Sequence, residues 1–441
     1  MGSVVVGLGK TGASCVRYLA KRGIEVSATD SRADPPGLAS LGTLAQRLEL
    51  RLGGFDISLL DGASQLLISP GVSLEEPIAR RARERGIEIL GDIELFARAV
   101  RAPVIGITGT NGKSTVTSLV AHMAMCAGRR VLAGGNLGEP ALDLLDQPVP
   151  DLYVLELSSF QLETTSSLQL QGAVVLNVSA DHMDRYDSIE SYARAKARIF
   201  ALAATIVLNA DDAIVAAMRR RGTRTLTFSI LHQDADFTLL EQDGTTWLAR
   251  DGKPLADFSK MKLSGRHNAA NALAALALGE AAALPYAAML QALESFPGLP
   301  HRSQWVADIC AVRYIDDSKG TNVGATIAAV AGIRQPQVLI AGGDGKGQDF
   351  APLTQALRGK VHHALLIGRD AQALAAALAA VCPCEFAESL PEAVAAAAAA
   401  ARPGDVVLLS PACASLDMFR DYNHRGDVFA AAVRALAGRQ A

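Results

Sequence analysis

Residues 106–121, GITGTNGKSTVTSLVA, set a glycine loop, a lysine and paired hydroxyls between a buried apolar run and a helical pattern. Gly109, Thr110, Asn111 and Gly112 would form a loop whose backbone N–H groups, with the helix N-terminus behind them, face phosphates. Lys113 would then reach the β/γ oxygens, and Ser114 or Thr115 would touch Mg²⁺. The full pattern G-x-x-x-x-G-K-[ST] wants glycine at 107, where Ile107 stands, so this is a variant loop. An ordinary strand-to-helix turn is the plain alternative, and it leaves the lysine and both hydroxyls unexplained.

Four other places carry chemistry-capable residues. GLGKTG at 7–12, with Asp30 18 positions after Gly12, is G-x-G-x-x-G with a following acid. That spacing suits a dinucleotide, the diphosphate of a UDP-sugar, or a purely structural close-approach turn. Glu156, at the end of the run LYVLE and followed by Ser158 and Ser159, stands where a carboxylate meets Mg²⁺ directly or through water. NVSADHMDRY places Asp181 and His182 at another expected strand end, beside further acids that favour a metal role for the imidazole. In the last third, Asp317, Ser318, Lys319 and Thr321, then Lys346 in AGGDGKGQDF, then Ser410 and Ser415, occupy three strand ends that suit a small anionic substrate. Lys196, in YARAKARIF, reads on its own as a solvated helix lysine.

The elements that must hold these groups repeat one pattern. Apolar runs ending in Gly, Ser or Asp (SVVVGLG, EVSATD, QLLISPG, PVIGITG, LYVLELSS, AVVLNVSADH, QVLIAGGDGKG, ALLIGRD, DVVLLSPACAS) alternate with helical stretches. This predicts parallel sheets covered by helices, with ligands at the strands' carboxyl ends. The fold class expected is α/β in three domains. They are an N-terminal Rossmann-like domain over 1–92, a central P-loop ATPase-type domain over 93–298 with a mainly parallel sheet, and a C-terminal Rossmann-like domain over 299–441. SFPGLPHR at 295–302 is the expected linker into the third. The 441 residues are 50% hydrophobic and 5% aromatic, which suits such layers. A formal net charge of −3 without a long basic run points away from nucleic acid and anionic membranes, so the partners expected are small molecules. The six cysteines are scattered, and Cys382-Pro-Cys384 lacks zinc spacing, so reduced thiols are expected. The opening MGSVVVGLGKTG has no basic leader, the alanine-rich 393–401 stretch is too short to span a bilayer, and a cytoplasmic location is expected.

Together these stretches resemble the Mur ligase family of peptidoglycan synthesis. GLGKTG, SPGV, GDIELF, TGTNGKST, GGNLG, LELSSFQL, LNVSADHMDRY, YARAKARIF, RHNAANALAALAL, GLPHR, DDSKGTN, GGDGKGQDF and LLSPACASLDMF fall in the family's order over almost the whole chain. The resemblance implies an ATP-driven joining of glutamate, expected as the D isomer, to UDP-N-acetylmuramoyl-L-alanine through an acyl phosphate. It implies ATP and two Mg²⁺ ions as cofactors and a monomer. Carried over by motif, Leu8, Lys10, Thr11, Asp30, Ser31, Arg32, Ser69 and Gly71 would hold the UDP part, with Gly135 and Asn136 near the domain junction. Gly109 to Thr115 would hold ATP together with Asn268, Asn271, Arg302 and Asp317. Ser114, Glu156, His182 and Lys196 would hold metal, the last as a carbamate formed with CO₂. Lys113, His182, Lys196 and Lys319 would be catalytic, and Lys319, Thr321, Lys346, Ser415 and Tyr422 would receive glutamate.

Two positions depart from the family's usual pattern, Gly320 where Ala is common and Tyr422 where Phe is more frequent. Both touch the choice between D- and L-glutamate. A folylpolyglutamate-synthase-like ligase is a rival, opposed by the GLGKTG segment that such an enzyme lacks. A nicotinamide-dependent dehydrogenase is opposed by the ATP loop, and a nucleotide-gated binding protein remains a third reading.

Overall fold

The first sheet joins β1 (Gly2–Val6), β2 (Val26–Asp30), β3 (Glu49–Leu52), β4 (Ala63–Ile68) and β5 (Glu88–Leu90) in the order β3-β2-β1-β4-β5, all parallel, in a computed structural model that describes residues 2–263 and 265–440. Val4, Val5 and Val6 are all buried, as expected of a strand covered on both faces. The chain leaves β1 to one side for β2 and returns to the other for β4, which opens a crevice at the carboxyl end of β1. GLGKTG lies there and starts α1 (Lys10–Ala20). A Cβ on Gly12 would stand 1.8 Å from the Gly7 carbonyl oxygen, so only glycine lets the helix approach so closely.

After β5 comes α2 (Asp92–Ala99), whose Phe96 ring meets Tyr153 of the second sheet edge-on at 5.2 Å. The second sheet contains β6 (Val104–Thr108), β7 (Val131–Gly135), β8 (Leu152–Glu156), β9 (Gly172–Val175), β10 (Thr205–Asn209), β11 (Arg224–Ser229), β12 (Phe237–Gln242), β13 (Thr245–Arg250) and β14 (Lys253–Asp257). Its order is β14-β13-β12-β11-β10-β9-β6-β8-β7. Pairing is parallel from β7 to β12 and antiparallel from β12 to β14. This antiparallel arm corrects the expectation of end-to-end βα alternation. Its cause is legible afterwards: Asp243-Gly244 (φ 51° and 73°) and Asp251-Gly252 (φ 49° and 71°) are two-residue turns that need positive φ twice. The sheet is flanked by α3 (Lys113–Cys126), α4 (Ile189–Ala197) and α5 (Arg266–Ala281), the last buried along most of its length.

The third sheet has β15 (Gln304–Ile309), β16 (Val312–Asp316), β17 (Gln337–Gly342), β18 (Val361–Ile367), β19 (Cys384–Phe386) and β20 (Val406–Leu409) in the order β15-β16-β20-β17-β18-β19. All pairs are parallel except β15 with β16. Its site-bearing helices are α6 (Val323–Gly332) and α7 (Tyr422–Gln440). Strands therefore bring the polar loops of all three sheets to their carboxyl ends, and the contacts between sheets decide which loops meet.

The first and second sheets are joined by many polar contacts. Ser14 and Arg17 hold the two oxygens of Asp143 at 2.7 and 2.8 Å, Lys10 Nζ donates to the Gly138 carbonyl at 2.5 Å, and Lys21 pairs with Asp146. The third sheet meets the second through groups at the strand ends themselves. Arg302 donates to Ser114 Oγ at 2.6 Å, the amides of Asn111 and Asn322 exchange bonds at 3.3 and 3.1 Å, and Lys346 Nζ reaches Asp181 Oδ1 at 3.2 Å. The arrangement is closed, with two clefts between these facing ends.

Candidate active site

The loop after β6 runs from strand into helix, the course its sequence predicts, and its lysine is turned back on the loop. Gly112 is left-handed and delivers the chain into α3, so Ser114 and Thr115 sit buried at the helix start. Lys113 bends back, and its Nζ donates to the carbonyls of Gly109 at 2.9 Å and Thr110 at 2.8 Å. Burial pulls its pKa below the usual lysine value, against the pull of Glu156 and Asp181. A phosphate entering the loop would offer this ammonium a stronger acceptor than two carbonyl oxygens.

Glu156 ends β8 and is buried. Asn136 Nδ2 donates to its Oε1 at 2.7 Å, while Oε2 is buried without a partner. Gly135 lines neither cleft. It closes β7 beside Glu156 and thereby brings Asn136 onto that carboxylate. An orphaned carboxylate oxygen in a cleft shared with Ser114 and His182 fits a divalent cation. Among the described residues no group of three or more His, Cys, Asp or Glu is arranged to hold a metal, so such an ion would complete its shell with phosphate oxygens and water, as Mg²⁺ does.

Asp181 and His182 correct the sequence reading in placement. β9 stops at Val175, and both residues lie in the loop beyond it, where the side chains of Asp212 and Thr110 accept from the backbone N–H groups of Val178 and Ser179, and Asn177 Oδ1 accepts from Asn111 N. His182 adopts φ 58°, a left-handed conformation that turns the imidazole into the cleft. Burial lowers its pKa, which keeps the ring neutral and a nitrogen lone pair available. Asp181 would be raised by burial, but Lys346's ammonium takes it below the normal carboxylate value.

Lys196 is the plainest correction. The solvated reading fails: the side chain is 1% exposed, its Nζ donates to the Gly109 carbonyl at 2.9 Å and lies 4.2 Å over the Tyr192 ring. Burial first, then Lys113, drives its pKa well below that of a free lysine. The helix turns this face inward because Tyr192, Ala193 and Ala195 beside it are also buried.

These groups share a cleft of about 310 Å³ lined by Thr110 to Ser114, Asn136, Glu156, Ser158, Ser159, Asp181, His182, Lys196, Arg302, Lys319, Thr321 and Lys346. Five basic side chains (Lys113, Lys196, Arg302, Lys319, Lys346) face two carboxylates there, a balance suited to a polyanion. A neighbouring cleft of about 340 Å³ is lined by Asn111, Gly112, Thr115, Asn268, Asn271, Arg302 and Asp317, with Phe228 and Leu263 supplying apolar surface for a base. Asp317 is held up to about 7 by burial, and Arg302 and Asp317 both come from the third sheet's side of the cleft. Gly109 enters neither cleft; its carbonyl anchors both Lys113 and Lys196.

Of the expected acceptor residues, Lys319, Thr321 and Lys346 line the catalytic cleft. Tyr422 stands behind that lining, its ring centroid 4.1 Å from the Lys319 ammonium. Ser415 is buried outside both clefts. Sequence reasoning missed Asn322, which bonds Asn111 and Asp181 while capping α6, and Arg185, which donates to the carbonyls of Pro70 and Val72. Both stand in stretches already picked out, but nothing in their type or spacing signals a bridging role.

The third cleft, about 660 Å³, lies at the end of β1 and is lined by Gly7, Gly9, Lys10, Thr11, Asp30, Ser31, Arg32, Ser69 and Gly71. Leu8 is buried and contributes only its backbone N–H, which donates to Asp30 Oδ2 at 2.6 Å. Asp30 also accepts from Arg32 N, Nε and NH2 at 2.9, 2.8 and 2.7 Å, and these bonds, opposing burial, bring its pKa to about 2. With all its lone pairs engaged, this carboxylate is not free to grip a dinucleotide's ribose, whereas Arg32 remains half exposed at the rim.

Comparison with known proteins gives three family matches in order along the chain. They are a "Mur ligase MurD-like, N-terminal domain" over residues 2–91, a "Mur ligase middle domain" over 107–279 and a "Mur ligase, glutamate ligase domain" over 301–413. The UDP-N-acetylmuramoylalanine–D-glutamate ligase of Nitrosococcus oceani is 55% identical over 437 residues, covering 98% of this chain and 96% of that protein. The enzyme of the same name from Methylococcus capsulatus is 50% identical over 98% of this chain and 95% of its own. Among solved structures, the UDP-N-acetylmuramate-alanine ligase of Thermotoga maritima shares the fold, with a TM-score of 0.63 at 20% identity over 99% of each chain.

Proposed function

This chain belongs to the Mur ligase family, and on that premise we propose that it joins D-glutamate to UDP-N-acetylmuramoyl-L-alanine at the expense of ATP, as a monomeric cytoplasmic enzyme of peptidoglycan precursor synthesis. It is an ATP-dependent, amide-bond-forming ligase. The observation that carries the specific reading is the cation-rich cleft between the second and third sheets. There the phosphate loop, the Glu156–His182 pair and the Lys319–Thr321–Lys346 group face one another.

The reaction follows from what must meet in that cleft. ATP would lie with its base between Asn271 and the α6 side and its phosphates over the loop 109–115. The nucleotide-sugar would occupy the cleft at β1, and Arg185 links that cleft's rim at Pro70 and Val72 to the loop carrying His182. An oxygen of the L-alanyl carboxylate attacks the γ-phosphorus, the bond to the β-phosphate oxygen breaks and ADP departs. The free amine of glutamate then attacks the acyl carbon, the tetrahedral centre collapses with loss of inorganic phosphate, and the nitrogen gives one proton to solvent and keeps the other as the amide N–H. Lys113, Lys319 and Arg302 stabilise charge that grows on the transferred oxygens.

Ser114, Glu156, His182 and a carbamylated Lys196 would hold two Mg²⁺ ions, which supply charge neutralisation to the phosphates when bound. Lys196 suits that modification because burial disfavours its ammonium form and so favours the amine. A neutral amine can attack the carbon of CO₂, form the N–C bond and lose one proton to give the carbamate anion. Lys346 and Thr321 would take the carboxylates of glutamate, with Ser415 and Tyr422 behind them.

The test is product analysis: incubation with ATP, Mg²⁺, UDP-N-acetylmuramoyl-L-alanine and D-glutamate, with the nucleotide-sugar followed by mass spectrometry. Gain of one glutamyl residue with equal ADP supports the reading. ADP without adduct, or adduct formed from L-glutamate alone, overturns it.

A further inference from the structure

The most deeply buried cation of the third sheet has no part in the account so far. Arg425 on α7 is 0% exposed. No carboxylate within ion-pair distance balances it among the described residues, and burial lowers its pKa to about 10, leaving it charged at neutral pH. A buried guanidinium is costly unless its donors are satisfied, and here every acceptor is an oxygen at or just past the carboxyl end of a strand, where a loop begins. Nε donates to Ser318 Oγ at 3.0 Å and NH2 to the Ser318 carbonyl at 2.8 Å, while NH1 faces the carbonyls of Cys413 at 3.2 Å and Gly342 at 3.5 Å.

Those three loops follow β16, β17 and β20. The first carries Lys319 and Thr321 immediately after Ser318, the second carries Lys346 four residues after Gly342, and the third carries Ser415 two residues after Cys413. Ser318 Oγ in turn donates to the Tyr422 carbonyl at 2.8 Å, so the start of α7 is tied into the same knot. The neighbouring Gly426 fixes how α7 is seated. A Cβ there would stand 2.1 Å from His301 Nδ1, which bonds Asp316 at 2.7 Å just before the first loop.

We propose that Arg425 is a positioning residue of the acceptor pocket: by joining Ser318, Gly342 and Cys413 it holds the loops that present Lys319, Thr321, Lys346 and Ser415 in one mutual geometry. The inference rests on the glutamate-joining reading above. It assigns the side chain chiefly to the amino-acid step: of the pocket residues so held only Lys319 also lines the nucleotide cleft, and the loop 109–115 and the β1 cleft contain none of Arg425's partners. A planar fork suits this place because its donors are spread over three nitrogens in fixed directions, whereas an ammonium's three donors radiate from a single atom.

The experiment is steady-state ligation by the full chain for Arg425→Lys and Arg425→Met, varying glutamate, ATP and UDP-N-acetylmuramoyl-L-alanine in turn. Thermal melting and ATP-analogue binding accompany the kinetics. The expected result is a KM for glutamate raised at least tenfold in Arg425→Lys and further in Arg425→Met, with the KM for UDP-N-acetylmuramoyl-L-alanine within twofold of wild type and any rise in the KM or analogue Kd for ATP, felt through Lys319, smaller than that for glutamate. An unchanged glutamate KM in a folded variant, or a parallel rise in all three, overturns the assignment. If both variants fail to fold, Ser318→Ala decides: it removes one acceptor and should raise the glutamate KM more than the other two, by a smaller factor, and no such selective rise overturns the proposal. Wild type that gives no glutamate-dependent product would refute the ligase reading itself, which separates the two failures.

Discussion

Lys113, Lys196 and Lys319 crowd one cleft, and burial lowers the pKa of each. Their chemistry differs by partner. Lys113, parked on the carbonyls of its own loop, is free to exchange them for phosphate, so Lys113→Ala should lower ligation by about 10²–10³-fold. Steady-state turnover checks this, and near wild-type activity would deny the role. Lys196 faces the metal-ligand set, and Lys196→Ala should lose most activity and regain part of it with short-chain carboxylic acids; activity that is unchanged and indifferent to added acid would return Lys196 to a structural role. Lys319 titrates at about 8, brought down by burial, Arg302 and Lys113. The protonated form supplies charge to the phosphates, so kcat/KM for ATP should fall as pH rises through about 8, and Lys319→Arg should abolish that limb. A pH–rate profile with the same basic limb in the variant would contradict the assignment. Gly320 has a reason on this scale too. A Cβ would come within 2.7 Å of both Asp317 Oδ2 and Ser410 Oγ, which are bonded to each other at 2.8 Å. The loop here is therefore packed for glycine where the resembling family usually has alanine.

At the scale of elements, α2 shows how a boundary residue is read differently by sequence and by packing. Asp92 looks like an ordinary helix-start acid, yet it is buried against Gln161 Nε2 at 2.9 Å, its Oδ1 is without a partner, and burial raises its pKa to about 6. A carboxyl raised in the folded state contributes stability present below the unfolded pKa of about 3.9 and lost as pH rises through about 6. Asp92→Asn, which removes that loss, should raise the melting temperature at pH 7.5 and give roughly half of the gain at pH 5; an equal gain at both would show that Asp92 is not the titrating group. The strands and glycine turns that carry the phosphate loop and Glu156 were legible because unbroken apolar runs ending in Gly, Asp or Ser have one physical meaning, and the 317–321 loop showed through its own polar run although Arg313 interrupts the strand before it. The arm β12–β14 was not read, although Asp243-Gly244 and Asp251-Gly252 announce its hairpins. Lys196 could not be read, because a lysine's burial depends on what packs over its helix. Arg425 and Asn322 escaped for the same reason, since their partners are backbone carbonyls and amides from elements remote in sequence.

For the whole molecule, the contrast between its two junctions suggests which one moves. The first sheet is fixed to the second by Ser14, Arg17, Lys21 and Lys10 at positions away from the catalytic cleft. The third sheet is held by Arg302, Asn322 and Lys346, which are also groups that substrates would engage. Closure and binding thus draw on the same side chains. Asn322→Ala, which removes the amide exchange with Asn111 and the bond to Asp181, should increase the radius of gyration without ligands and raise the glutamate KM. Small-angle scattering identical to wild type would contradict this coupling. The account's central claim is that ATP is spent on activating the L-alanyl carboxylate. The direct measurement uses UDP-N-acetylmuramoyl-L-alanine carrying ¹⁸O in that carboxylate, with ATP, Mg²⁺ and D-glutamate, followed by mass analysis of the phosphate released. One ¹⁸O in each phosphate is the result predicted, because the oxygen that attacks phosphorus leaves with it, and phosphate free of label would contradict the acyl-phosphate route.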